Sequence, residues 1–162
     1  MKKYSYFSIS ALIILIDQIS KLIVRNSIEP EKIIRVTNKF FWLTNIQNTG
    51  ASFSLFSSDS PITRYLLIFI SFIAIVVLSY LIMKTRVRVE KIVYAIILGG
   101  AAGNMIDRVI FGRVTDFIWV DFPDIIMQRW PIFNLADSSI VVAIIIMFIY
   151  TIFFANQSGE EE

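Results

Sequence analysis

Long apolar runs, broken by a few isolated polar residues, organise this chain. The clearest runs from Tyr65 to Met83 and carries no charge. A second, from about Leu135 to Ala155, is uncharged after Asp137. A third, about Val89 to Ile110, contains Gly99, Gly100 and Gly103 and approaches its end on Asp107 and Arg108. The N-terminal run extends from Tyr4 to about Val24, with Asp17 and Lys21 near its far end. A helix needs roughly 20 mostly apolar residues to cross about 30 Å of hydrocarbon. The pattern therefore predicts four transmembrane helices, at about 4–24, 65–83, 89–110 and 135–155, in a single membrane-embedded domain covering 1–162. Within the connecting segment 26–64, Ile33–Val36 and Phe40–Leu43 are short β-branched or aromatic runs separated by Thr37-Asn38-Lys39, which predicts small strands.

Composition agrees. Of 162 residues, 56% are hydrophobic and 17% charged, and mean hydropathy is +0.70, whereas soluble domains run nearer 45–50% apolar and about 25% charged. Lys84, Arg86, Arg88 and Lys91 crowd the link between the second and third spans. With Lys2 and Lys3, they predict that both termini and that link are cytoplasmic, leaving 26–64 and 111–134 outside. Arg25, Lys32, Arg35, Lys39 and Arg64 on or near the first outer segment pull the other way, although charges on a long loop count less. Phe40, Phe41, Trp42, Trp119 and Trp130 suit a membrane–water interface. Lys2-Lys3 ahead of an apolar stretch has the outline of a signal peptide. Asp17-Gln18 interrupts the apolar core, however, and no small-residue cleavage site follows, so the segment reads as a retained helix. The tail 156–162 is polar and acidic, a solvated end. A net charge of +2 gives no reason to expect a nucleic-acid partner.

The chain has no cysteine and no histidine. A disulfide framework, a Cys/His zinc site, a cysteine nucleophile and an imidazole base are all excluded. Catalysis, if present, falls to carboxylates, lysine, hydroxyls or a hard metal ion. Ionisable groups in or beside a span cost about 2.5–3.5 kcal/mol at its centre, so they usually have a partner or a function.

Five polar clusters stand out. In Asp17-Gln18-Ile19-Ser20-Lys21, Asp17 and Lys21 share a helical face and can pair; alternatively Lys21 reaches a lipid phosphate or an active-site carboxylate. Asn48-Thr49-Gly50-Ala51-Ser52-Phe53 has turn character, with Gly50 allowing close backbone approach. In the third cluster, Gly99 and Gly103 form a small-residue face for helix packing. Asn104, Asp107 and Arg108 fall at i, i+3 and i+4 there, and Arg108 beside Asp107 suggests a local ion pair. Asp116 lies among bulky apolar and aromatic residues, a setting that raises a carboxyl pKa; Asp121 and Asp124 compete with it from a stretch that reads as solvated loop. In the fifth, Asn134 as N-cap places Asp137 at N3, where capping explains the spacing without catalysis. The same geometry holds Asp137 ionised near the membrane surface.

Two aspartates from different segments can hydrolyse an amide. Two close carboxylates do not both ionise easily, so one keeps a proton while the other activates water. Asp137 at a helix N-terminus suits the base and Asp116 in apolar surroundings the acid. Two other readings stay open. One is a Ser–Lys hydrolase using Ser20 or Ser52 with Lys21, although Ser20 and Lys21 lie about 100° apart on a helix. The other is a carrier or assembly factor whose aspartates relay protons or hold helices together.

The motifs DQxSK, NTGAxF, GGAxGNxxDR, VxDFI and FNxAD, in this order on four spans, resemble bacterial lipoprotein signal peptidase, also called signal peptidase II, over essentially the whole chain. The resemblance implies an aspartic membrane peptidase with catalytic residues Asp116 and Asp137. It implies supporting or substrate-binding roles for Asp17, Lys21, Asn48, Gly50, Asn104, Asp107, Arg108, Asn134 and Ala136, with Asp107 a reserve catalytic candidate. The implied fold is four transmembrane helices, a small extracytoplasmic β-cradle and a short amphipathic outer helix, for which 119–130 is the candidate. The implied substrate is a prolipoprotein whose lipobox cysteine carries diacylglycerol, cut on the N-terminal side of that cysteine in the bacterial cytoplasmic membrane. The cyclic peptide globomycin is the implied inhibitor, and no metal or organic cofactor is implied. Thr115 departs from the valine common in the family, and the acidic tail departs from its common basic tails.

Overall fold

The computed structural model describes residues 3–37, 40–50, 61–121 and 131–154. A 3-10 turn, Lys3–Tyr6, leads into α1 (Phe7–Ser27), followed in turn by α2 (Pro61–Lys84), α3 (Arg88–Phe111) and α4 (Leu135–Phe153). All four helices are long and apolar enough to cross a membrane. Their outward faces carry large apolar side chains, among them Leu15 and Leu22 on α1, Phe69 and Phe72 on α2, and Ile144 and Phe148 on α4. Such faces suit lipid, where a helix satisfies its own backbone hydrogen bonds. The chain is a four-span membrane protein.

Glycines let the helices approach closely. A methyl added at Gly99 would lie 3.0 Å from the Ser10 carbonyl oxygen of α1, and one at Gly103 would lie 2.6 Å from Asp17 Oδ2. One at Gly100 would meet the Ala136 carbonyl oxygen of α4 at 2.7 Å. The expected small-residue face on α3 is thus present. It is wider than the Gly99/Gly103 pair, because Gly100 receives α4.

A three-stranded antiparallel sheet, in the order β1 (Ile34–Arg35), β2 (Phe41–Asn48), β3 (Val114–Val120), sits at the end of the bundle where α1 and α3 finish and α4 begins. The β2–β3 register runs Phe41↔Val120 to Leu43↔Ile118, is interrupted by a bulge, and resumes as Ile46↔Asp116, Gln47↔Thr115 and Asn48↔Val114. The two expected strands are present, with the second extended to Asn48. β3 is an addition: read as connecting segment from sequence, 114–120 pairs along its length with β2. Of the proposed outer helix 119–130, Trp119 and Val120 end β3 and 122–130 lie outside the described residues, as does the tail from 155.

Two junctions place the sheet. α3 stops at Gly112, whose φ of 77° suits a residue without a Cβ. There Arg64 donates from Nε to the Arg108 carbonyl (2.9 Å), which also accepts the Gly112 N–H at 3.2 Å, and from Nη2 to the Val109 carbonyl (2.9 Å), bracing the helix end. β3 follows directly. At its other side it meets Phe133 just before α4: Phe117 and Ile118 donate to the Phe133 carbonyl at 3.0 and 2.8 Å, and Phe133 donates back to Ile118 at 3.1 Å. β3 is therefore tied both to β2 and to the start of α4.

Candidate active site

Asn134 starts α4. Its Oδ1 accepts the Asp137 N–H at 3.0 Å, and Asp137 Oδ2 accepts the Asn134 N–H at 3.3 Å, the reciprocal box that the sequence spacing predicts. The same Asn134 side chain donates from Nδ2 to Asp116 Oδ1 at 2.7 Å. One residue thus holds both candidate aspartates.

Each carboxylate has a second amide. Asn48 donates from Nδ2 to Asp116 Oδ2 at 2.8 Å, while its own Oδ1 accepts the Gly50 N–H at 2.8 Å. Gly50 has a φ of 94°, and a Cβ there would fall 2.6 Å from Leu67, so glycine is needed to close this turn. Asn104 donates from Nδ2 to Asp137 Oδ1 at 2.8 Å, and its Oδ1 accepts from Lys21 (2.9 Å) and Asn134 (3.1 Å).

Beneath the amides lies a buried charged layer. Lys21 is wholly buried and pairs with Asp17 at 2.9 Å and Asp107 at 3.4 Å. Asp17 Oδ1 accepts the Ala136 N–H at 3.0 Å, so a carboxylate from α1 satisfies a donor in the first turn of α4. Asp107 accepts from Gln18 Nε2 (3.3 Å), Arg25 Nη1 (3.3 Å) and the Thr115 N–H (3.0 Å). Gln18 also bonds Asp17 and the Gly103 carbonyl, closing the seam between α1 and α3.

Asp116 is only 3% exposed. Burial, reinforced by the negative charge of Asp137, pushes its pKa up to about 6, against the opposing pull of Asn48, Asn134 and Lys21. That places its proton in the range useful to a general acid near neutrality. Asp137 remains partly exposed. A deeply buried acid of raised affinity for its proton stands beside a more accessible carboxylate at a helix N-terminus, the pairing that lets two like groups take different roles.

The structure thus gathers Asp17, Lys21, Asn48, Asn104, Asp107, Asp116, Asn134, Ala136 and Asp137 into one network, with Gly50 at its edge. Two expectations need correction. Asp107 pairs with Lys21 and Arg25 rather than with Arg108, because adjacent helix positions point about 100° apart. Arg108 instead turns Nη1 toward the Asn104 carbonyl at 3.5 Å. Lys21, enclosed by Asp17, Asn104 and Asp107, does not reach a lipid phosphate. Ser20 donates to the Asp17 carbonyl at 2.7 Å; Ser52 and Asp124 lie outside the described residues. Asp121 is exposed, and its N–H bonds Phe40. Among the described residues no cluster of three metal-ligating side chains occurs. In the sequence Arg25 stands only as a topological charge. Its signal was its place four residues beyond Lys21 and eight beyond Asp17, on the same helical face.

Residues 9–153 match the family model for signal peptidase (SPase) II. The chain belongs to the signal peptidase II family. Lipoprotein signal peptidase of Serratia marcescens is 41% identical over 145 residues, covering 88% of this chain and 81% of that protein. The protein of the same name from Francisella tularensis subsp. novicida is 38% identical over 96% of both chains. That of Moorella thermoacetica is 32% identical over 96% of this chain and 98% of its own. The fold matches two bacterial membrane enzymes solved by the in meso method, each with a TM-score of 0.79. One is 25% identical and covers 98% of this chain and 92% of its own; the other is 27% identical and covers 93% and 94%. The chain is an aspartic-type membrane peptidase of this family.

Proposed function

We propose that this peptidase removes the signal peptide from diacylglyceryl-modified prolipoproteins, cutting on the N-terminal side of the lipidated cysteine, with Asp116 and Asp137 activating water. The observation that carries the reading is Asn134, which bonds Asp116 and caps the helix bearing Asp137. Asp137 takes a proton from water as its oxygen attacks the scissile carbonyl, and Asp116 gives its proton to the carbonyl oxygen. In the second half Asp137 protonates the leaving nitrogen as the C–N bond breaks, and Asp116 recovers a proton from a hydroxyl of the tetrahedral species. No covalent enzyme intermediate forms. Asn48, Asn104 and Asn134 hold the carboxylates, while the layer of Asp17, Lys21 and Asp107 fixes the helices beneath them.

The charge pattern supports a multi-pass placement in the bacterial cytoplasmic membrane with both termini cytoplasmic. The sheet and the site then face outward, where water meets a membrane-held substrate. The missing cysteine fits this reading, since the essential cysteine belongs to the substrate.

Purified enzyme offered the same precursor with and without the diacylglyceryl group tests this. Cleavage of the lipidated form alone, blocked by globomycin, is the expected result. Equal cleavage of both forms contradicts the substrate assignment.

A further inference from the structure

Arg25 belongs to no step described above, yet it is held from three sides. Its Nη1 donates to Thr115 Oγ1 at 3.0 Å and to Asp107 Oδ1 at 3.3 Å, and its guanidinium carbon lies 4.3 Å from the centre of the Phe111 ring. Thr115 is buried, immediately precedes Asp116, and faces Gln47 across the β2–β3 ladder. Its N–H is held by Asp107 at 3.0 Å, and its hydroxyl also accepts from Gln47 Nε2 at 3.4 Å. Both the backbone and the side chain of Thr115 are thereby anchored to helices α1 and α3, one residue from the proposed acid.

We propose that Arg25 and Thr115 form a positioning pair, in which the guanidinium clamps β3 to α1 and α3 and so sets where Asp116 is presented to Asp137. The proposal rests on the assignment of Asp116 and Asp137 as the dyad. Arg25 also acts by charge. The charges that act on Asp116 are Lys21 from α1, itself paired with Asp17, Arg108 from α3 and Asp137 from α4, with Arg25 and Asp107 one step away on Thr115; β2 contributes the neutral Gln47 and Asn48. Removing Arg25 leaves this shell more negative and favours the protonated form of the acid, which moves the pH profile upward.

The two contributions separate by substitution. Thr115→Val keeps every charge and deletes one acceptor. It is expected to lower kcat by about tenfold, in line with a hydrogen bond to a charged group, with KM and the pH profile unchanged. Arg25→Met is expected to lower kcat further and shift the profile to higher pH, whereas Arg25→Lys keeps the profile in place while lowering kcat. Adding Thr115→Val to Arg25→Met, or to Arg25→Lys should the methionine variant fail to fold, is expected to cost much less than it does alone. Strictly additive effects, or wild-type kcat in Thr115→Val, overturn the pairing. An Asp116→Asn control run alongside keeps the outcomes distinct. Its inactivity, with Thr115→Val and Arg25→Met unimpaired, rejects the positioning pair alone; its full activity rejects the dyad.

Discussion

Asn134 donates to Asp116 at 2.7 Å while its side-chain oxygen caps the helix that carries Asp137. A cap alone could be served by serine, threonine or aspartate. A hydroxyl must do both from one oxygen close to the backbone, and an aspartate only accepts, whereas the asparagine amide puts the acceptor and the donor on separate atoms, so Oδ1 caps the helix while Nδ2 extends to Asp116.

The two requirements come apart on substitution. Asn134→Ser retains a capping oxygen but loses the N–H aimed at Asp116. Its unfolding midpoint should stay near wild type while turnover falls about tenfold or more, as for a lost bond to a charged group. Asn134→Ala loses both and should also be destabilised by about 1 kcal/mol. Thermal unfolding in detergent beside a cleavage assay checks both. Wild-type turnover in Asn134→Ser would contradict the second role of the amide.

Burial of Asp116 has a measurable cost. Its pKa rises from 3.8 to about 6. Below about pH 4 the folded and unfolded chains both hold this proton. Between about pH 4 and 6 the unfolded chain releases it first, so folding stability falls as pH rises through that window, by about 3 kcal/mol in all. Asp116→Asn does not titrate. Relative to wild type it should gain about that amount between pH 4 and pH 7.5, measured by denaturant unfolding at the two values. A difference independent of pH would contradict the raised affinity.

Lys21 pairs with two buried aspartates, Asp17 and Asp107, the second of which it shares with Arg25. Lys21→Met should destabilise the protein by about 3–5 kcal/mol, because it leaves buried charge unpaired. Asp17→Asn added to Lys21→Met should recover part of the loss. The substitution removes one of the stranded charges, and its amide oxygen can still accept the Ala136 N–H that the carboxylate now holds at 3.0 Å. Unfolding midpoints of the single and double variants decide this; a double variant less stable than Lys21→Met opposes it.

Much of this arrangement was legible in the sequence because each signal was local. Long apolar runs of helix-spanning length mark the spans, and the four-residue step from Asp17 to Lys21 and the three-residue step from Asn134 to Asp137 follow from helix geometry alone. What was not legible depends on partners distant in the chain. β3 has no alternation to reveal it, since Val114 to Phe117 are all buried, and it becomes a strand by pairing with β2 and Phe133. Asp107 looked like the partner of its neighbour Arg108, yet Lys21 and Arg25 reach it from another helix, α1. Thr115 stands out in sequence only as a departure from the family's common valine, and its hydrogen bond from Arg25 gives it weight.

Asp116 and Asp137 are proposed to activate water as a pair, and removing one carboxylate at a time tests that pairing. Purified wild type, Asp116→Asn and Asp137→Asn are each given a diacylglyceryl-modified prolipoprotein, with unfolding midpoints recorded on the same preparations. Cleavage by wild type and none by either folded variant is the predicted result. Wild-type cleavage by either variant would contradict the dyad.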